Sequence, residues 1–339
     1  MREGINPAKL DPYIEKKYYH RIIIPIFIPD FNGYFKNIFE VYKLCLESAW
    51  LTQHGKSAIT VVNNGSCEEV NQWLNELHKE GKIETLISHS SNIGKVDAIL
   101  GAARSCREDL ITLTDSDILF KNGWQEAVEK VFLNFSKAGS VAPFPISRHL
   151  YYYSTSTQKA VVQGKLSFSF EKATVQNLRE IEQNYLCYNW SFEKEYDGLL
   201  PIVGSSSGKA VLGSGHQIMT VRRDAIFSMP YNPSFIKISS GSESNWIDKP
   251  IDDFGFWRLS TIDTMVQHMG NQLTPNNLRT FEFVYKNETN PEPLKLPPFI
   301  PKKTSSLLKR MYSKIFRLKF DKRPLAPKLA IQIEQDRVL

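Results

Sequence analysis

Two carboxylates separated by one small residue stand in LITLTDSDILF, Leu110 to Phe120, as Asp115 and Asp117. The apolar, β-branched residues before them read as a buried strand. If the extended geometry runs on through the pair, both side chains face the same way. Paired hard oxygen ligands suit Mg²⁺ or Mn²⁺ carrying a substrate diphosphate. An Asp-rich turn after a strand is the alternative reading of the same three residues. Further along, IDDFGFWRLSTIDTMVQHMGN supplies two more adjacent carboxylates, Asp252 and Asp253, in front of an expected aromatic helix, and a histidine, His268, ahead of a glycine. GSSSGKA, Gly204 to Ala210, imitates a phosphate loop, but it has one residue too few between its glycines and ends in Ala210 where Ser or Thr is needed.

The elements that must position these groups alternate. RIIIPIFIPD, Arg21 to Asp30, reads as a central strand ending in a loop at Pro29 and Asp30. Ile38, Val41, Tyr42, Cys45 and Leu46 recur at helical spacing. SAITVVNNGS is a second strand stopped at Asn64-Gly65, after which Ser66 is expected to cap a helix from Cys67 to Lys79 with Glu69 reaching back. Ile83 to Ser88 reads as a third strand, and Ser90 to Cys106 as a loop entering a small-residue helix. After the Asp115 strand come a Trp124 to Ala138 helix and a Ser140 to Phe144 strand. Strands and helices alternating about every 25 residues imply an α/β fold with a mostly parallel sheet flanked by helices, and they place the carboxylates at a strand's carboxyl end.

The 339 residues suit one large α/β domain with appendages, and a 42% hydrophobic content supplies its core. Cys45, Cys67, Cys106 and Cys187 lie far apart without zinc spacing, as reduced thiols of an intracellular protein do. The first twenty residues lack a signal-peptide core, and no apolar window is long enough to span a membrane. The net charge of +6 belongs to one tail: nine basic residues from Lys302 to Arg323 face the single acid Asp321, which leaves the remainder slightly acidic. A nucleic-acid partner is therefore not expected.

The order IIIPIFIPD, VVNNGS, SNIGK, TLTDSDILF, GSGHQIM, DDFGFWRL, VQHMGN resembles a nucleotide-sugar glycosyltransferase of the GT-A fold, closest to family 2, over about Arg21 to Asn271. The resemblance implies a Rossmann-like GT-A domain over 21–289, with a nucleotide-sugar half at 21–144 and an acceptor half at 145–289, after a leader at 1–20. It implies that Pro29 and Asp30 line the nucleotide pocket, and that Asn63 replaces an aspartate which holds the base or ribose. Asn92, Gly94 and Lys95 then lie beside the nucleotide. Asp115 is the first aspartate of a DXD motif, near ribose and metal, and Asp117 is the direct ligand of Mn²⁺ or Mg²⁺. His268 matches a late histidine that completes the metal shell in some members. Gly213, Gly215 and His216 match a segment near the donor phosphates and acceptor. The catalytic base corresponds to an acidic pair at a helix start, here Asp253 or Asp252. The implied activity is transfer of a sugar from a nucleoside-diphosphate sugar, a UDP-sugar as first expectation, to a glycan or lipid-linked acceptor with inversion, in a cytoplasmic bacterial enzyme of surface polysaccharide biosynthesis. A GT-A scaffold that binds without transferring is the main alternative. A nucleotidyltransferase would need a Gly-rich, Arg-containing loop that IPDFNGYFK lacks.

The C-terminal part differs in character. Asn290 to Lys303 holds five prolines and reads as an extended linker over 290–303. In the basic segment 304–339, Leu308, Met311, Tyr312, Ile315 and Phe316 form one helical face. Such a helix over 304–320 either lies on an anionic membrane as a peripheral contact or docks on its own catalytic domain.

Overall fold

The computed structural model describes residues 4–186, 198–239 and 241–321. Cys187, Lys322, Arg323 and the rest of the tail lie outside the described residues. The chain runs β1 (His20–Ile26), α1 (Ile38–Thr52), β2 (Ser57–Asn64), α2 (Glu68–Lys79), β3 (Thr85–His89), α3 (Lys95–Ser105) and β4 (Leu110–Thr114). It continues as β5 (Ile118–Phe120), α4 (Trp124–Asn134), β6 (Ala138–Ala142), α5 (Thr155–Val162), β7 (Ser167–Lys172) and α6 (Val175–Leu186). Then follow β8 (Leu199–Gly204), β9 (Lys209–Leu212), β10 (Ile218–Arg222), α7 (Arg223–Ile226), α8 (Lys249–Asp253), β11 (Trp257–Ser260), β12 (Val266–His268), α9 (Pro275–Glu282) and α10 (Ser306–Phe320).

Among the described residues, ten strands form one sheet in the order β3-β2-β1-β4-β10-β6-β11-β9-β8-β7, so the two expected halves share a sheet. β3, β2, β1 and β4 are mutually parallel, as crossover helices require. β10 enters antiparallel between β4 and β6, and β7, β8 and β9 extend the far edge as an antiparallel meander. β1 is buried along its whole length. Its alternation sends Ile22, Ile24 and Ile26 to the layer of α1 and α4, and Ile23 to the layer of α3. Each such isoleucine contributes about 1.5–3 kcal/mol of burial, which fixes the strand's register.

Two local expectations change and a third holds. Ser66 does not cap α2, whose N-cap is Cys67 without a side-chain bond; its hydroxyl accepts the Ile28 N–H instead. The aromatic run after Asp253 is strand β11, because β6 and β9 offer it a pairing edge on each side. Gly204 to Ala210 is the β8–β9 hairpin, consistent with rejecting a phosphate loop. Residues 290–303 have no regular structure but are laid on the domain: Leu294 and Leu296 pack on the core, Phe299 meets Phe256, and Lys302 N–H donates to the Phe254 carbonyl.

Candidate active site

β4 ends at Thr114, and the chain turns through Asp115, Ser116 and Asp117. Extended geometry therefore does not carry the two carboxylates; two clamps on the turn do. Asp115 N–H donates to the Gln217 carbonyl at 2.7 Å, and Met269 N–H donates to the Asp117 carbonyl at 2.8 Å. The short β5–β12 ribbon sets His268 opposite Ile118, beside Asp117. Asp115, Asp117 and His268 thereby bring one ligand atom each within 4.8 Å of one another. His268 Nε2 is 3.4 Å from Asp117 Oδ2, and the buried Asp117 Oδ1 has no hydrogen-bond partner. Burial raises the Asp117 pKa, while His268 opposes the shift. Two carboxylates and an imidazole fit Mn²⁺ or Mg²⁺, and the unpaired Oδ1 is an acceptor that such a cation would satisfy.

Lys95 opens α3 directly after Gly94, whose φ of +97° and approach to the Ile236 carbonyl leave no space for a Cβ. Its Nζ stands 2.5 Å from Asp115 Oδ1 and 2.7 Å from Glu243 Oε1. Burial works against the ammonium, but the two carboxylates win and raise its pKa. Glu243, 8% exposed, was not among the residues expected from sequence. It immediately precedes a π-helical turn, Ser244–Asp248, that runs on into α8. Despite burial, Lys95 and the Ser242 hydroxyl bring its carboxyl down to about 2.

Gly213 takes φ +115° against His149, and Gly215 faces Gln217 and Ile146, so the segment folds back tightly enough to aim His216 inward. His216 Nδ1 lies 2.6 Å from Asp248 Oδ2, and Asp248 Oδ1 lies 2.5 Å from Arg258 Nη2. Burial opposes the imidazolium, yet Asp248 and Glu243 raise its pKa. His216 is thereby held by Asp248 on the Glu243 side of the site.

On the nucleotide side, Pro29 and Asp30 follow β1, and Asp30 Oδ1 accepts the Asn32 N–H. Asn63 is buried and spends its amide locally, accepting the Ser66 N–H and donating to Asn71. The neighbouring Asn64 reaches out instead: it donates to Asn92 Oδ1 and accepts the Ile93 N–H, tying the second strand to the loop before Lys95. Asn92 also accepts the Gly94 N–H. Tyr34 is a further residue missed from sequence. It lies in the loop after Asp30 with its ring against Phe35, and burial, then the charges of Asp117 and Asp115, raise its phenol pKa.

Asp252 and Asp253 stand elsewhere. They end the helical stretch that Glu243 begins, so the expected position at a helix start is not theirs. Lys309 of α10 bridges both at 2.5 Å, Ser156 N–H donates to Asp252 Oδ1, and Lys249 pairs with Asp253. Asp252 is 1% exposed. The pair lines a cleft of 920 Å³ between Tyr151–Tyr153 and the start of α10.

The large, mostly parallel central sheet flanked by helices is a GT-A-type glycosyltransferase architecture. The chain belongs to glycosyl transferase family 2, whose profile matches residues 25–198, just over half of its length. No curated protein matches the sequence significantly. Among solved structures, the mannosyltransferase PcManGT from Pyrobaculum calidifontis, in complex with GDP-Man and Mn²⁺, is 19% identical over 45% of this chain and 46% of its own, with TM-score 0.31. S. aureus TarS 1-349 is 9% identical over 77% of this chain and 62% of its own, with TM-score 0.42. The same TarS fragment in complex with UDP-GlcNAc is 14% identical over 36% and 33%, with TM-score 0.27. This chain spans less than two thirds of the length of each.

Proposed function

We propose that this protein transfers a sugar from a nucleoside-diphosphate sugar, a UDP-sugar first, to a hydroxyl of a glycan or lipid-linked acceptor, inverting the anomeric centre. Surface polysaccharide assembly on the cytoplasmic side is the proposed setting. The observation that carries the reading is Lys95 bridging Asp115 to Glu243, which joins a donor-side carboxylate turn to a buried acid at a helix start. Asp117, Asp115 and His268 would hold Mn²⁺ or Mg²⁺, which when bound supplies Lewis-acid neutralisation of the diphosphate. Lys95 adds positive charge for the same group, and His216, whose pKa Asp248 raises, offers it a ring N–H.

Glu243 is the proposed base, in place of Asp253 or Asp252. At a pKa of about 2 it is ionised at neutral pH, the correct form for accepting a proton, though weakly basic while Lys95 holds it. A donor diphosphate competes for Lys95, so Glu243 regains basicity when substrate binds. The acceptor oxygen then bonds to the anomeric carbon, the bond from that carbon to diphosphate oxygen breaks, and the acceptor proton passes to Glu243. Asn64, Asn92 and Tyr34 flank the donor with Pro29 and Asp30, Asn63 supports the turn behind them through Ser66 and Asn71, and Asp252 and Asp253 belong to the cleft wall on the acceptor side.

The test is turnover of a panel of UDP-, GDP- and dTDP-sugars, read as released nucleoside diphosphate, with the anomer of the product read by NMR. One nucleotide class consumed only with Mn²⁺ or Mg²⁺, giving the inverted anomer, supports the reading. Metal-independent turnover or a retained anomer overturns it.

A further inference from the structure

α10 uses two faces for two different purposes. Phe316 is fully buried against Tyr151 and Phe168, Tyr312 meets Gln163 and Lys159, and Lys309 holds the Asp252–Asp253 pair. These side chains project from one side. At about 100° per residue, Leu308, Ile315, Met311, Leu318 and Leu307 follow one another around a sector about 100° wide on the side turned away from Phe316. All five are exposed, Leu307 at 79% and Leu318 at 75%. Lys314, Arg310 and Arg317 continue from one edge of this stripe and Lys319 stands near the other. Thr304 to Phe320 contains no acid, and the exposed Ile300, Lys302 and Lys303 lie just upstream.

We infer that this outward stripe seats the enzyme on an anionic lipid surface, with α10 lying flat and its basic flanks on the headgroups. Arg317 is drawn to the domain over the Tyr151 ring, so the stripe is bordered by Arg310 and Lys314 on one edge and Lys319 on the other. This complements a bilayer interface, where the apolar residues enter the acyl boundary and the cations stay with phosphate. The helix is too short and too polar to cross a membrane, so it lies on the surface. The two sequence expectations for this segment, docking on the domain and contact with lipid, thus become two faces of one helix. Because the docked face lines the 920 Å³ cleft holding Asp252 and Asp253, a bilayer on the stripe would lie about one helix diameter, roughly 10 Å, from that cleft. The inference does not require the proposed transfer reaction, since lipid binding is read without turnover.

The experiment is sedimentation of the full chain with vesicles of phosphatidylcholine alone or with phosphatidylglycerol added. The wild-type protein should pellet with the anionic vesicles and be released by salt. Leu307→Glu with Leu318→Glu, which alters only exposed positions, should weaken partitioning at least about tenfold without changing Tm. Arg310→Gln with Lys314→Gln should weaken it on anionic vesicles by about the same factor. A wild-type chain that stays in the supernatant overturns the inference, as does unchanged binding by the Leu307, Leu318 double variant. Should a chain ended at Asp321 pellet while the full chain does not, residues 322–339 occupy the stripe and the inference fails. It fails equally if light scattering shows a dimer that the leucine variant splits while vesicles bind neither protein.

Discussion

Glu243→Gln keeps the side chain's shape and removes its charge, so it separates proton acceptance from packing. Loss of a positioned base slows turnover about 10²–10⁴-fold, or about 3–5 kcal/mol of transition-state stabilisation. The structural penalty is smaller. Lys95 loses one of its two carboxylates but keeps Asp115, in a site where the Lys95 and Glu243 side chains are 20% and 11% exposed. Stripping a buried ion of its last partner costs about 3–5 kcal/mol, so one retained partner brings the expected loss to about 1–2 kcal/mol, or a few degrees of Tm. The assay is kcat at saturating donor and acceptor, beside calorimetric binding of the nucleoside diphosphate with metal, which should persist. Asp253→Asn and Asp252→Asn are the comparison. They should act mainly through stability, because Lys309 and Ser156 hold those carboxylates. A Glu243→Gln enzyme within about threefold of wild-type kcat, alongside an Asp253→Asn enzyme slowed a hundredfold or more, would refute the assignment and return the role to the pair at the helix end.

Asp117→Asn should lower kcat by about 10² or more and abolish the metal dependence of nucleotide binding; near-normal turnover that still requires metal would contradict the ligand assignment. The buried network of Tyr19, His20, His54 and Glu129 should destabilise the protein in acid. Burial lowers the His20 pKa below its ordinary 6.5, so the unfolded chain takes up the proton first and stability falls as pH drops below about 6.5. The two histidines outweigh burial and hold Glu129 at about 2, so stability falls further between about 4.5 and 2. Urea midpoints from pH 8 to 3 check both windows, and a flat profile would contradict them. Phe316→Ala, at the only fully buried position of α10, should cost about 3 kcal/mol in the docking of that helix, seen as faster amide exchange confined to α10 and α5.

The strands were legible because their apolar runs are buried at nearly every position, as in β1, β2 and β4. The turn after β4 marks Asp115 and Asp117 locally, whereas His268 is pointed to by the family resemblance, and the fold brings the three together. The order of β10 was not, since nothing local tells a strand that it will slot antiparallel between β4 and β6. Glu243, the proposed base, lies in the polar stretch GSESN, which carries no local signal, while the adjacent Asp252–Asp253 pair ends the helical stretch rather than starting it. Only the continuity of the helical stretch through its π-turn shows which acid begins it. Asn63 was singled out by position, yet its amide closes on Asn71 while Asn64 makes the reach across. In α10 the periodicity identified an apolar face too broad for one contact. Phe316 and Tyr312 turned inward, and Leu308, Met311 and Ile315 remained outside.

The most direct measurement is a thermal-shift panel of UDP, GDP, dTDP and CMP with Mn²⁺, Mg²⁺ or EDTA, on the wild-type chain and on Asp117→Asn. A ligand at a hundred times its Kd adds about 2.7 kcal/mol, a Tm rise of several degrees. The account predicts such a rise for one nucleotide only, with metal present, and its loss in both EDTA and Asp117→Asn. No nucleotide-dependent rise in the wild-type protein, or an equal rise in Asp117→Asn, would contradict it.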